Sequence, residues 1–320
     1  MLPSMPVTVP SRLDVQRRLG LLLVGAGLVF YAYGVSKTCA LGILPTSLMG
    51  WLFKYWSRGG EYAHGYVVPI IAAGLFAWQW RRWLQTVPFR ASTAGLPIII
   101  SAVMLYWFGV KAANPRVVAV SLVVLLFGLI LYLAGWQWAR ALWFPCVFLL
   151  FMIPLNFLEP YLSFPLRLFV ASLSTNLLSV VGLDVYQDGT GIYSRSGRFL
   201  PLDVADPCSG IRSLVALMAL TSLYGYVVMD RSWKKWILFL SSIPLAVIGN
   251  LVRIATVALV AQGFGSDWAM KVYHDYSGYI VFSLAILCMV TLGVVLNLHY
   301  NDIVHRWIRE DVRPVRAERR

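Results

Sequence analysis

Charge is what this chain has least of. Only 13% of its 320 residues are charged and 14 are acidic, while 59% are hydrophobic. Soluble domains average about a quarter charged residues, so a soluble globular protein is excluded. The apolar runs are continuous and do not alternate, which excludes a β-barrel. Cysteine is scarce too. The four are Cys39, Cys146, Cys208 and Cys288, with no CxxC pair. Neither a zinc site nor a redox dithiol is indicated, and no cofactor is expected. The chain also lacks an internal repeat, a low-complexity tract and a second soluble domain.

What is present is a series of apolar runs near the roughly 20 residues that a helix needs to cross a bilayer. The expected fold class is an all-α polytopic membrane protein. Candidate spans are roughly 19–36, 65–82, 94–111, 117–134, 141–158, 211–229, 236–262 and 277–298. The first follows Arg12, Arg17 and Arg18 like a signal peptide, but no small-x-small cleavage site follows, so it reads as an uncleaved span.

The net charge of +13 does not indicate a nucleic-acid partner. The basic residues gather in short clusters between apolar runs, the positive-inside pattern. Arg12/Arg17/Arg18, Arg81/Arg82/Arg90, Arg140, Arg231/Lys234/Lys235 and the tail from Arg306 to Arg320 mark the cytoplasmic side. This gives a cytoplasmic segment 1–18, a membrane domain 19–298 and a basic cytoplasmic tail 299–320. A further apolar segment, 161–182, would force the basic 231–235 loop outside if it crossed. It is therefore expected to lie in the interface or re-enter, leaving about eight spans.

The polar segment 183–207 then falls outside, on the periplasmic side. Asp188-Gly189 and Ser196-Gly197 are turn signals. Ile192–Arg195 and Arg198–Leu202 around Ser196-Gly197 read as a small periplasmic β-hairpin, which leads directly to Cys208.

Topology gathers three residues in one outer layer. Cys208 begins an outside-to-inside span. Arg253 sits about 25 Å up an inside-to-outside span, at 1.5 Å per residue. His274 lies just past that span's end. Taken singly, each has an ordinary reading: a small residue at a helix start, a snorkelling arginine, a polar loop histidine. Together they make a nucleophile, a charge stabiliser and a base.

Pro207, Ser209 and Gly210 suit a helix start, where backbone N–H groups favour a thiolate. Arg212 is one turn on and adds positive charge, while Asp203 and Asp206 oppose it. Asn250 is one turn before Arg253 and can orient it. An arginine inside an apolar span is costly and by default functional. His64, in EYAHGYVVP, is a second outer histidine and the alternative base.

These motifs carry a family likeness. PCSGIRSL at 207–214, GNLVRI at 249–254 and HDYSG at 274–278 resemble the Cys, Arg and His motifs of exosortases, bacterial inner-membrane enzymes similar to archaeosortases. EYAHGYVVPI at 61–70, FMIPL at 151–155 and IPLAVIGN at 243–250 extend the resemblance, although Ala63 stands where serine is common. The resemblance implies a cysteine-peptidase-like transpeptidase with Cys208 as nucleophile, Arg253 as charge stabiliser and His274 as general acid/base. Its partners would be exported, membrane-tethered proteins bearing a C-terminal sorting signal of PEP-CTERM type, often alongside exopolysaccharide production. The product would pass through a Cys thioester to an acceptor at the periplasmic face. The contrasting expectation is a transporter or polysaccharide-export component with Arg253 lining a substrate path. A scaffold without chemistry would leave the buried arginine unexplained.

Overall fold

The computed structural model describes residues 24–41, 44–57, 62–83, 87–155, 157, 159–195, 197, 202–203, 210–265, 269 and 274–297. The terminal segments 1–18 and 299–320 lie outside the described residues. The chain divides into two compact units, Met1–Pro154 and Leu155–Arg320.

The first unit contains α1 (Val24–Val35), a short hairpin of β1 (Cys39–Leu41) and β2 (Leu44–Thr46), then α2 (Leu48–Ser57), α3 (His64–Trp83), α4 (Gly95–Lys111), α5 (Pro115–Ala134) and α6 (Trp136–Phe148). The β1–β2 hairpin and α2 were not expected from the sequence. They occupy the segment between the first two expected spans, and α2 buries Leu48, Trp51, Leu52 and Trp56.

The bounds of α5 show why the chain breaks where it does. Asn114 accepts a hydrogen bond from the Arg116 N–H at 3.1 Å, and Pro115 takes the first helical position, where its missing N–H costs nothing. Gly135 ends the helix at φ +89°, a region open to glycine. The expected 141–158 span is instead α6 from Trp136, tightening into a 3-10 turn at Leu149–Met152 and ending in extended backbone at Ile153.

The second unit starts with a π-helical turn at Glu159–Ser163 and α7 (Phe164–Val180). Next come β3 (Val185–Asp188), β4 (Gly191–Ser194) and β5 (Leu202–Asp203), then α8 (Gly210–Val228), α9 (Ser232–Phe264) and α10 (His274–Asn297). The strands form an antiparallel sheet in the order β3-β4-β5. The two segments expected to form a hairpin do pair, but only briefly, with Ile192 opposite Leu202 and Gly191 opposite Asp203. The longer hairpin is β3–β4, turned at Gly189 (φ +59°) and pairing Val185 with Ser194.

Three of the expected segments, Pro115–Ala134, Ser232–Phe264 and Tyr276–Asn297, are long and apolar enough to cross a membrane by length and composition. Val24–Val35, Gly95–Lys111, Phe164–Val180 and Leu214–Val228 are shorter apolar helices. Large apolar side chains such as Ile70, Met104, Trp107, Ile280 and Leu287 stand exposed. In water such surface would be a liability. On a helical protein of this composition it is the surface that meets lipid. The protein is a helical membrane protein.

Candidate active site

The second unit holds an antiparallel bundle of α8, α9 and α10. At one end Met229, Leu238 and Met289 form a shared core. Lys234 is nearly buried there. Its Nζ donates to Asn297 Oδ1 at 3.4 Å and lies 3.5 Å from Asp230 Oδ1, while Asn297 Nδ2 donates to the Val228 carbonyl at 3.5 Å. This polar knot ties all three helices together at the end that carries the basic turn.

A second core layer lies further along the bundle, formed by Leu214 and Leu217 of α8, Ala246 of α9 and Ala285 of α10. The opposite end can be measured from it. At 1.5 Å per residue, Gly210 lies about 6 Å beyond Leu214, Arg253 about 10 Å beyond Ala246, and Ser277 about 12 Å beyond Ala285. Because α9 runs antiparallel to α8 and α10, all three displacements point the same way. The start of α8, the outer part of α9 and the start of α10 share one level.

Arg253 is half-buried at that level. Its Nε donates to Ser277 Oγ at 3.2 Å. Ser277 is 1% exposed, so this bond forms where water competes little. His274 is the first residue of α10, one turn before Ser277 and Gly278 and on the same helix face. Arg253 is thus bonded to the helix that opens at His274, within one turn of that residue's backbone. Asn250 lies one turn earlier on α9, also half-buried.

The sheet belongs to the same end. Val185 of β3 and Ile192 of β4 are buried with Val170, Ala171 and Leu178 of α7. They pack with Ile254, Ala255, Val257, Ala258 and Ala261, the stretch of α9 that follows Arg253. The strand β5 pairs to β4 and enters the segment that ends at α8. Cys208 and Ser209 lie in that segment, outside the described residues, as do the side chains of Arg212 and His274. The helix expected to begin around Cys208 is described over Gly210–Val228.

His64 has a local account within the first unit. It opens α3 and hydrogen-bonds the Phe151 carbonyl. Burial pushes its imidazole below the ordinary histidine range, and that carbonyl opposes the shift. Nε2 is buried with no hydrogen-bond partner among the described residues. The next residue, Gly65, faces the Trp56 indole so closely that a Cβ would collide with it. Trp56 Nε1 in turn donates to the Met152 carbonyl at 2.9 Å, and Arg116 Nε donates to the Pro154 carbonyl at 3.0 Å. These bonds join EYAHG and FMIPL into one brace.

Sequence reasoning singled out Arg253 and His274 but passed over Ser277 and Gly249. Both sat inside quoted motifs, HDYSG and GNLVRI. The available signal was the one-turn spacing of serine from histidine. A Cβ on Gly249 would stand 3.0 Å from Val281 Cγ1, so glycine there lets α10 approach α9 one turn from the Arg253–Ser277 bond.

The family model described as transmembrane exosortase matches residues 56–291, a range that spans both the brace and the bundle end. No curated protein and no solved structure matches the chain.

Proposed function

From the premise that this chain belongs to the transmembrane exosortase family, we propose that it is a membrane-embedded cysteine transpeptidase. Its substrates are exported proteins that carry a C-terminal sorting signal of PEP-CTERM type. Cys208 is the nucleophile, Arg253 the charge stabiliser and His274 the general acid/base. The chain crosses the inner membrane about eight times, with both ends in the cytoplasm and the site facing the periplasm.

The chemistry follows from those roles. His274 takes the thiol proton as Cys208 Sγ attacks the scissile carbonyl carbon. The carbonyl oxygen becomes an oxyanion, and the Arg253 guanidinium meets that developing charge. Collapse breaks the C–N bond. The leaving amine takes the proton from His274, and an acyl thioester remains on Cys208. An acceptor nucleophile then gives its proton to His274 and attacks the thioester carbonyl. The thiol leaves as thiolate and is reprotonated. The substrate's membrane helix lies against the spans and keeps its cleavage motif at the bundle end.

The observation that carries this reading is the Nε–Oγ bond from Arg253 to Ser277, on the helix that opens at His274. It gives a membrane-buried arginine a defined position at one end of a bundle. A substrate path through mid-membrane would favour a residue nearer the centre. The test is co-expression with a signal-bearing protein. Cys208→Ala and Cys208→Ser should both abolish processing while the enzyme still inserts. Normal processing by either variant removes the thiol from the scheme.

A further inference from the structure

An arginine side chain has several rotatable bonds, so a catalytic guanidinium must be held as well as placed. Arg253 is held on two sides by consecutive residues of α10. Ser277 Oγ accepts the Nε–H at 3.2 Å. At Gly278, the position a Cβ would occupy is 3.7 Å from Cζ, 3.7 Å from Nη2 and 3.9 Å from Nη1. Three guanidinium atoms nearly equidistant from one point place that point over the flat face, not at an edge. The guanidinium therefore lies face-on to the α10 backbone at Gly278, with its Nε edge anchored to Ser277.

We infer that Ser277 and Gly278 form a cradle that fixes the orientation of Arg253, with Ser277 as a positioning residue for the reaction. With Nε engaged and the face covered at Gly278, the plane of the guanidinium is fixed relative to α10. The cradle follows His274 by one turn on the same helix face. The anchor of the guanidinium and the backbone of His274 therefore lie on one helix, one turn apart. This inference rests on the reading of Arg253 as a catalytic group.

The experiment uses the full-length enzyme in membranes with a signal-bearing substrate, at matched enzyme abundance. Ser277→Ala should slow processing at least about 10-fold, within the about 10²-fold that a 1 Å misplacement can cost, while the enzyme stays folded in detergent at the assay temperature. Ser277→Thr and Ser277→Val have the same shape and differ in the acceptor oxygen, so the Thr variant should process faster than the Val variant. Gly278→Ala should be tolerated, because its Cβ meets ordinary van der Waals contact, and Gly278→Leu should not.

Wild-type processing by Ser277→Ala overturns the inference, as does equal processing by the Thr and Val variants. A loss of rate that only tracks a fall in the amount of folded enzyme overturns it too, since the serine would then be merely structural. If the branched side chains do not insert, the rate and stability of Ser277→Ala decide alone. The underlying reading fails separately, through normal processing by Cys208→Ala. Loss with Cys208→Ala and Arg253→Ala but none with Ser277→Ala retires the cradle only.

Discussion

Gly249 of α9 faces Val281 of α10, and a Cβ on the glycine would stand 3.0 Å from Val281 Cγ1. That contact is tighter than side chains normally tolerate, so the two helices meet there because one has no side chain. Gly249→Ala forces a shift of a few tenths of an ångström. Gly249→Leu must push α10 away and stretch the Arg253–Ser277 bond one turn on. The expected outcome is modest slowing for alanine and loss of processing for leucine, read by the fraction of co-expressed substrate cleaved.

Arg253 should not be replaceable by lysine. A guanidinium offers a planar fork and an Nε–H edge; an ammonium is a point charge without either. Arg253→Ala should reduce processing by about 10²- to 10³-fold, the cost of losing an oxyanion donor. Arg253→Lys should recover little of it. Single-turnover processing rates at matched membrane abundance check both.

At the opposite end, Lys234 bonds Asn297 and pairs with Asp230. Lys234→Ala leaves the part-buried Asn297 amide without its cationic donor. It should cost about 1.5–3 kcal/mol, the range for hydrogen bonds to charged groups, and lower the thermal midpoint in detergent. Processing at permissive temperature should persist, because the change lies at the far end of the bundle.

In the first unit, Gly65 and Trp56 leave no room between them. Gly65→Ala should displace the indole and break its bond to the Met152 carbonyl. Trp56→Phe removes that donor without the collision, and a buried carbonyl left unpaired costs about 1–3 kcal/mol. Both variants should unfold at lower temperature than the parent, with the alanine variant affected more, as measured by fluorescence-detected thermal melts.

Thiol labelling tests the placement of Cys208. Cys39 is 3% exposed, and burial holds its thiol above the ordinary cysteine range. Cys146 is buried, and Cys288 is exposed on α10, which is long and apolar enough to cross a membrane. A membrane-impermeant maleimide added outside cells should therefore label a single thiol. Cys208→Ser should remove the label, and persistent labelling of that variant counts against a periplasmic nucleophile.

Some of the site was readable in one dimension. An arginine within an apolar run announces itself, because hydropathy and charge are local properties. The turn at Gly189 was signalled by Asp-Gly, yet the pairing was assigned to the neighbouring Ser-Gly turn. The choice depends on which strand buries its apolar face. Val185 and Ile192 bury theirs together against α7 and α9, and nothing within the segment records that surface. Ser277 escaped notice for a similar reason. A serine beside His-Asp-Tyr looks like any polar residue at a helix start, and its partner is Arg253, 24 positions away.

Composition and charge distribution, read along the chain, were enough to establish a helical membrane protein, an arginine within an apolar run and a family likeness. They depend on each residue's own affinity for water or lipid, so no partner is needed to read them. Which helices touch, at what height, and what holds the guanidinium came from packing alone. Those facts rest on contacts between residues far apart in order, where a missing Cβ at Gly249 or a hydroxyl at Ser277 matters only because another helix is there to meet it.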